Sequence, residues 1–161
     1  MAFFLRLHTN RLHLAIMDKH DRGDEPLYAH FLGLWLLDPA SCDYEQGDPP
    51  RAGSYRIEER EGRLLFTLTW VDAVGLDGHA SFSGLPDGRH EDFDGGDLAD
   101  ALSVEAVSAR ELTSAAYYKG VERMTTQCQL DELGMAMRVL KLVRLPDGTR
   151  LLDTNVYRRA N

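Results

Sequence analysis

No stretch of this chain reaches the ~18 consecutive apolar residues that a membrane-spanning helix needs. The front segment, Met1 to Met17, is apolar only in patches. Arg6, His8, Arg11 and His13 interrupt it, so it lacks the continuous apolar region of a secretory signal. Cysteine is scarce. Cys42 and Cys128 make neither a disulfide framework nor a zinc pattern, and they read as free thiols in a reducing compartment. Positive charge is also in deficit: 18 Lys and Arg against 26 Asp and Glu give a formal net charge of -8. That balance repels phosphate backbones and anionic bilayers, so no nucleic acid and no membrane is expected as a partner. The expected home is cytoplasmic. The catalytic signatures are missing too, with no Gly-x-Ser-x-Gly elbow, phosphate-binding loop, dinucleotide fingerprint or His-Glu-x-x-His pair. No cofactor and no metal is expected.

What is present suits one domain. The 161 residues are 43% hydrophobic, enough for a sizeable core. Residues 18–26, DKHDRGDEP, are polar and end on Pro26, which reads as a linker. The chain therefore divides into an N-terminal extension and linker over residues 1–26 and a β-barrel domain over residues 27–161. Residues 27–37 are apolar and suit either one or two helical turns or a first strand. Residues 38–53 carry three prolines and read as a loop.

Beyond residue 53, short runs rich in β-branched and aromatic residues recur about every ten residues. They are Ser54–Arg60, Arg63–Val71, His79–Leu85, Ala101–Val107, Glu111–Tyr118, Val121–Leu130, Met135–Arg144 and Arg150–Arg158. Pairs such as Glu61-Gly62, Lys119-Gly120 and Asp147-Gly148 divide them and supply the conformations that hairpin turns demand. With Leu34–Leu37 as a lead strand and a short strand near Arg89–Phe93, roughly nine or ten strands are expected. No strand–helix–strand alternation occurs. The expected fold is all-β, an antiparallel meander barrel with a short N-terminal helical or extended segment. A barrel removes the open edges that so many sequential hairpins would otherwise leave.

Alternation assigns faces. Leu64, Phe66, Leu68 and Trp70 share one side of their strand. Met135, Met137, Val139 and Val143 share another, with Lys141 among them. In Val121–Leu130, Met124, Cys128 and Leu130 oppose Arg123, Thr125, Gln127 and Gln129. That polar row suits either a solvated outer face or the wall of a wet cavity.

The segment Phe31-Leu32-Gly33-Leu34-Trp35 resembles the opening of the calycins, the lipocalin and fatty-acid-binding-protein group. In that group a Gly-x-Trp leads into the first strand and the Trp plugs one end of the barrel. The segment Leu152 to Arg159 is similar to the last strand of the intracellular fatty-acid-binding proteins, where an inward Arg-x-Tyr grips a carboxylate. Tyr157 matches that tyrosine, but Asn155 stands where the arginine would be, which removes a bidentate carboxylate clamp. Arg123 or Arg138 would replace the charge if either pointed inward. The prolines of residues 38–53 argue against a two-helix lid, so a lid-less lipocalin-like barrel fits better.

The resemblance implies a small apolar or amphipathic ligand, fatty-acid-like or similar, held inside the barrel. Tyr157, Asn155 and Arg123 would orient its polar end, with Trp35, Phe66 and Met137 on the apolar lining. No catalytic residue is assigned. One alternative is an enzyme of isomerase or cyclase type, with Glu105 or His79 beside Tyr157 as its acid–base set. Another is a cavity-less interaction module, a homodimer through the apolar N-terminal segment.

Overall fold

The structure is a computed structural model, and it describes residues 24–161. The expected N-terminal extension, and the dimer contact placed on it, lie outside the described residues up to residue 23. One turn of 3-10 helix, Ala29–Phe31, leads into ten strands. These are β1 (Gly33–Tyr44), β2 (Ala52–Arg60), β3 (Arg63–Val71), β4 (Asp77–Gly84), β5 (Glu91–Asp92), β6 (Ala101–Ser108), β7 (Glu111–Tyr118), β8 (Val121–Leu130), β9 (Ala136–Arg144) and β10 (Arg150–Arg159).

They form one sheet in the order β4-β3-β2-β1-β10-β9-β8-β7-β6-β5. Every neighbouring pair is antiparallel. The meander is thus joined through its first and last strands, and its two edges, β4 and β5, meet without a ladder. The hairpin chemistry is visible in the backbone. Glu61 and Gly62 both take positive φ, 53° and 79°, as do Lys119 and Gly120 at 49° and 77°. Two consecutive left-handed residues give the turn whose twist matches the flanking strands.

The first strand is longer than the sequence suggested. Residues 38–44 were expected to be loop because Pro39 cannot donate to a ladder, yet β1 runs on to Tyr44. A bulge between Asp38 and Asp43 takes up the proline. The Ser41 hydroxyl fills the gap it leaves, accepting the Val156 N–H at 2.8 Å and donating to the Asp38 carbonyl at 2.6 Å. No helix covers the barrel from this segment.

Inward side chains of all the long strands meet in one core. Trp35, Ile57, Leu64, Phe66, Val104, Leu112 and Met137 are essentially sealed from solvent. This packed half lies toward the end where β1 begins and β10 finishes, called the base below. The other end, where β1 finishes and β10 begins, is the mouth. There the inward side turns half-buried or exposed, as at Leu68, Trp70 and Ala80.

Candidate functional site: a polar belt inside the barrel

The base is closed by one stacked pair. The Trp35 indole N–H donates to the Phe31 carbonyl at 2.9 Å, and the Arg159 guanidinium lies 4.1 Å from the Trp35 ring centre. Arg159 also donates to the carbonyls of Gly134 at 3.0 Å, Leu32 at 2.9 Å and His30. One guanidinium thereby ties the last strand to the 3-10 turn and to the β8–β9 hairpin. Trp35 was expected at one end of the barrel. Nothing in the sequence reading gave Arg159 this part.

Above the plug sits an aromatic cluster. Tyr55 meets Phe66 and Tyr157 edge to face, with ring centres 6.2 and 5.6 Å apart, and Phe66 stacks on Phe82 at 4.5 Å. Burial holds the Tyr55 and Tyr157 hydroxyls protonated well beyond the ordinary phenol range, and pushes the adjacent Cys128 thiol up to about 12. These groups stay protonated at neutral pH.

The informative layer lies one row further toward the mouth. Register pairs Ser114 with Thr126, Thr126 with Lys141, Lys141 with Asp153, and Asp153 with Tyr44. Each shares its strand face with core residues, so the five form a continuous inward belt across β7, β8, β9, β10 and β1. The row on its mouth side is apolar: Ala116, Met124, Val143 and Leu151 in register. On the base side Leu112, Cys128 and Val139 run to Asn155.

Within the belt, Lys141 Nζ lies 3.5 Å from Asp153 Oδ2, their side chains 41% and 17% exposed. The pair is electrically neutral as a unit, and water reaches its lysine. Asn155 is the one buried polar residue of the described core. Its amide Nδ2 donates to the Tyr44 hydroxyl at 2.9 Å, while its buried Oδ1 has no protein partner. Burial raises the Tyr44 hydroxyl above the usual phenol range, and the Asn155 contact opposes this.

The wall across from the belt is different. There β2, β3 and β4 present Tyr55, Leu68 and Ala80 in one row and Gly53, Trp70 and Gly78 in the next. The Trp70 indole lies against Gly78 so closely that a Cβ there would come within 2.5 Å of its ring. The β4–β5 seam is pinned near the base by Arg63, which makes two 2.8 Å bonds to Glu91. Beside this pair runs a groove of about 540 Å³ that includes Leu65, Phe66, Phe82, Phe93 and Leu102.

The sequence-assigned residues divide by height. Tyr157 and Asn155 face inward on β10, on the base side of the belt. Trp35, Phe66 and Met137 belong to the packed half. Arg123 stands in the bulge where β8 meets Tyr117 of β7, one residue beyond the inward Met124. The row of Thr125, Gln127 and Gln129 faces outward, where Gln127 donates to Glu111 at 2.7 Å. Arg138, considered as a replacement cation, is exposed and pairs across the ladder with Gln129 of that outer row. The acid–base set does not assemble. Glu105 and His79 are exposed on the outer face and Tyr157 points inside. No group of three metal-ligating side chains occurs among the described residues, and no helix among them is long and apolar enough to cross a membrane.

The belt was missed, although a signal for it exists. Ser114, Thr126 and Lys141 each stand alone between apolar residues two positions away on either side: Leu112 and Ala116, Met124 and Cys128, Val139 and Val143. Each lone polar residue at inward parity is visible strand by strand without a structure, whereas their alignment in one row comes only from the register.

No protein-family model matches the chain, and no curated protein matches its sequence. Among solved structures, the chain is similar to the siderocalin Ex-FABP, described as functioning through dual ligand specificities. Identity is 13%, the TM-score is 0.44, and the match covers 81% of this chain and 74% of that one. It is also similar to zebrafish ileal bile acid-binding protein in complex with cholic acid. Identity is again 13%, the TM-score is 0.49, and the match covers 81% of this chain and 99% of that one. By its own strand order, with β1 closed on β10, a gap between β4 and β5, and Trp35 plugging the base, this chain has a calycin-like fold.

Proposed function

We propose that this protein binds a small apolar or amphipathic molecule in the mouth half of the barrel. The observation that carries this reading is the polar belt set between apolar rows, with the unpartnered Asn155 amide oxygen beside it. A core built only for stability pairs its buried polar groups or does without them. Here a lysine, an aspartate, two hydroxyl residues and a tyrosine face inward with hydrogen-bonding capacity to spare. Apolar burial against Leu68, Met124 and Val143 drives association at ~25 cal/mol per Å² of apolar area removed from water, and the belt orients the ligand. The packed base supports the site and takes no ligand. Catalysis has no comparable support, because Glu105 and His79 lie on the other side of the wall from Tyr157.

The experiment uses Trp70, which sits on the inner wall of the mouth and is 37% exposed. Titration with 1-anilinonaphthalene-8-sulfonate should give saturable, one-to-one energy transfer from tryptophan to the bound dye, and Trp70→Phe should remove most of it. Native mass spectrometry of freshly purified protein, followed by organic extraction, should identify a co-purified molecule. A dye signal that never saturates, together with a bare chain mass, would sink the proposal in favour of a packed interaction module.

A further inference from the structure

We infer that the ligand is polar at its middle and on one side, carrying hydroxyl groups there, rather than bearing its polarity in a charged head at one end. This rests on the proposed binding function and specifies the ligand class for the same site.

Three features of the interior lead to it. First, the belt has apolar neighbours on both sides along the barrel axis. On β7, β8 and β9, Ala116, Met124 and Val143 lie toward the mouth, and Leu112, Cys128 and Val139 toward the base. A molecule lying along the axis meets apolar wall, then polar groups, then apolar wall. A chain with one polar end would set its own apolar middle against Lys141 and Asp153. Second, the belt covers only one side. Across from it the β2–β4 wall offers Leu68, Ala80 and the Trp70 ring, which suit an apolar flank. Third, the charges inside the belt cancel. Lys141 is already paired with Asp153 at 3.5 Å. A ligand carboxylate would have to displace Asp153 from Lys141 and then stand beside an unpaired aspartate. Hydroxyls avoid this conflict. Each can donate to Asp153 or Asn155 Oδ1 and accept from Lys141, Thr126 or Ser114, using both halves of the groups the belt presents.

The test compares two probes that differ only at mid-chain, stearate and 9,10-dihydroxystearate. Each displaces bound 1-anilinonaphthalene-8-sulfonate from the full chain at submicellar concentration. Two additional hydrogen bonds at the usual net strength favour the dihydroxy acid by roughly tenfold or more. In the double variant Ser114→Ala with Thr126→Val, whose folding is checked by thermal melting, that ratio should fall toward one. Stearate binding as tightly as the dihydroxy acid overturns the inference and leaves the binding reading standing. A tenfold preference that survives both in this double variant and in Lys141→Met combined with Asp153→Leu also overturns it, because the belt is then not what reads the hydroxyls. If neither probe displaces the dye and the dye itself fails to saturate, the binding reading falls and this inference falls with it.

Discussion

Replacing Arg159 with alanine should unfasten the base of the barrel. The side chain makes two part-buried bonds, to the Gly134 and Leu32 carbonyls, a more exposed one to the His30 carbonyl, and a stack on Trp35. Each part-buried bond contributes about 1 kcal/mol net. The exposed bond adds little, because water takes over that carbonyl. A guanidinium over an indole in a partly dry setting adds about 1 kcal/mol. The loss should total about 3 kcal/mol, and at roughly 2–4 °C per kcal/mol for a domain of this size Tm should fall by about 6–12 °C. Arg159→Lys keeps the charge but loses the planar stack and the forked donors, so it should recover less than half of the loss. Thermal melting followed by circular dichroism gives the stability. Trp35 emission gives the local effect, since removing its cover should shift that emission to the red. A Tm within about 2 °C of the parent would refute the assignment of Arg159 as the pin of the base.

Asn155→Leu should cut ligand affinity while leaving Tm unchanged or slightly higher. The lost bond to Tyr44, worth about 1 kcal/mol, is offset by removing a buried oxygen with no protein partner. A fall in Tm beyond about 6 °C would make Asn155 a structural residue instead. At alkaline pH the fold should weaken, with the following sign. In the folded state the Cys128 thiol is pushed up to about 12 from an ordinary 9.0, and the Tyr55 and Tyr157 hydroxyls lie above their ordinary 10.0. The unfolded chain therefore loses these protons first. Stability is intact below pH 9 and declines at about 1.4 kcal/mol per pH unit for each group once its unfolded form ionises. Burial and Asp38 also raise the Cys42 thiol, so the comparison is made in a Cys42→Ala background, where urea melts with Cys128→Ala added should show the decline starting nearer pH 10 than pH 9. An unchanged onset would mean that burial does not hold the thiol protonated.

Fold and site were legible to different degrees, for identifiable reasons. Arg63–Val71, Glu111–Tyr118 and Val121–Leu130 are strands over the same residues in sequence and structure, because runs with β-branched or aromatic residues flanked by turns such as Glu61-Gly62 and Lys119-Gly120 leave little choice. Trp35 was legible as the plug from its Gly-x-Trp setting. The mouth-side half of β1 was not, since Pro39 reads as a breaker and only the bulge filled by Ser41 admits it. Arg159 was invisible because its partners are backbone carbonyls far away in the chain, which no spacing rule encodes. The belt was half visible. Lys141 had been placed among inward Met137 and Val139, but joining it to Ser114 and Thr126 requires the register between strands. Register is set by turn geometry and bulges, such as the one between Ala116 and Tyr117, and these cannot be counted from composition.

The ladder between β1 and β10 has a kinetic meaning. It joins Trp35 to Arg159 and Leu37 to Tyr157, partners separated by nearly the whole described chain. Every other ladder links neighbours in sequence, so two ribbons, β1–β4 and β5–β10, can zip locally, and quickly, with their inner faces wet. Joining the two into a barrel must wait for one long-range encounter, and the entropy of that single loop sets the barrier. Until it happens, β1 presents an unpaired edge to anything nearby, which makes the interval before closure the time when this chain is most exposed to aggregation.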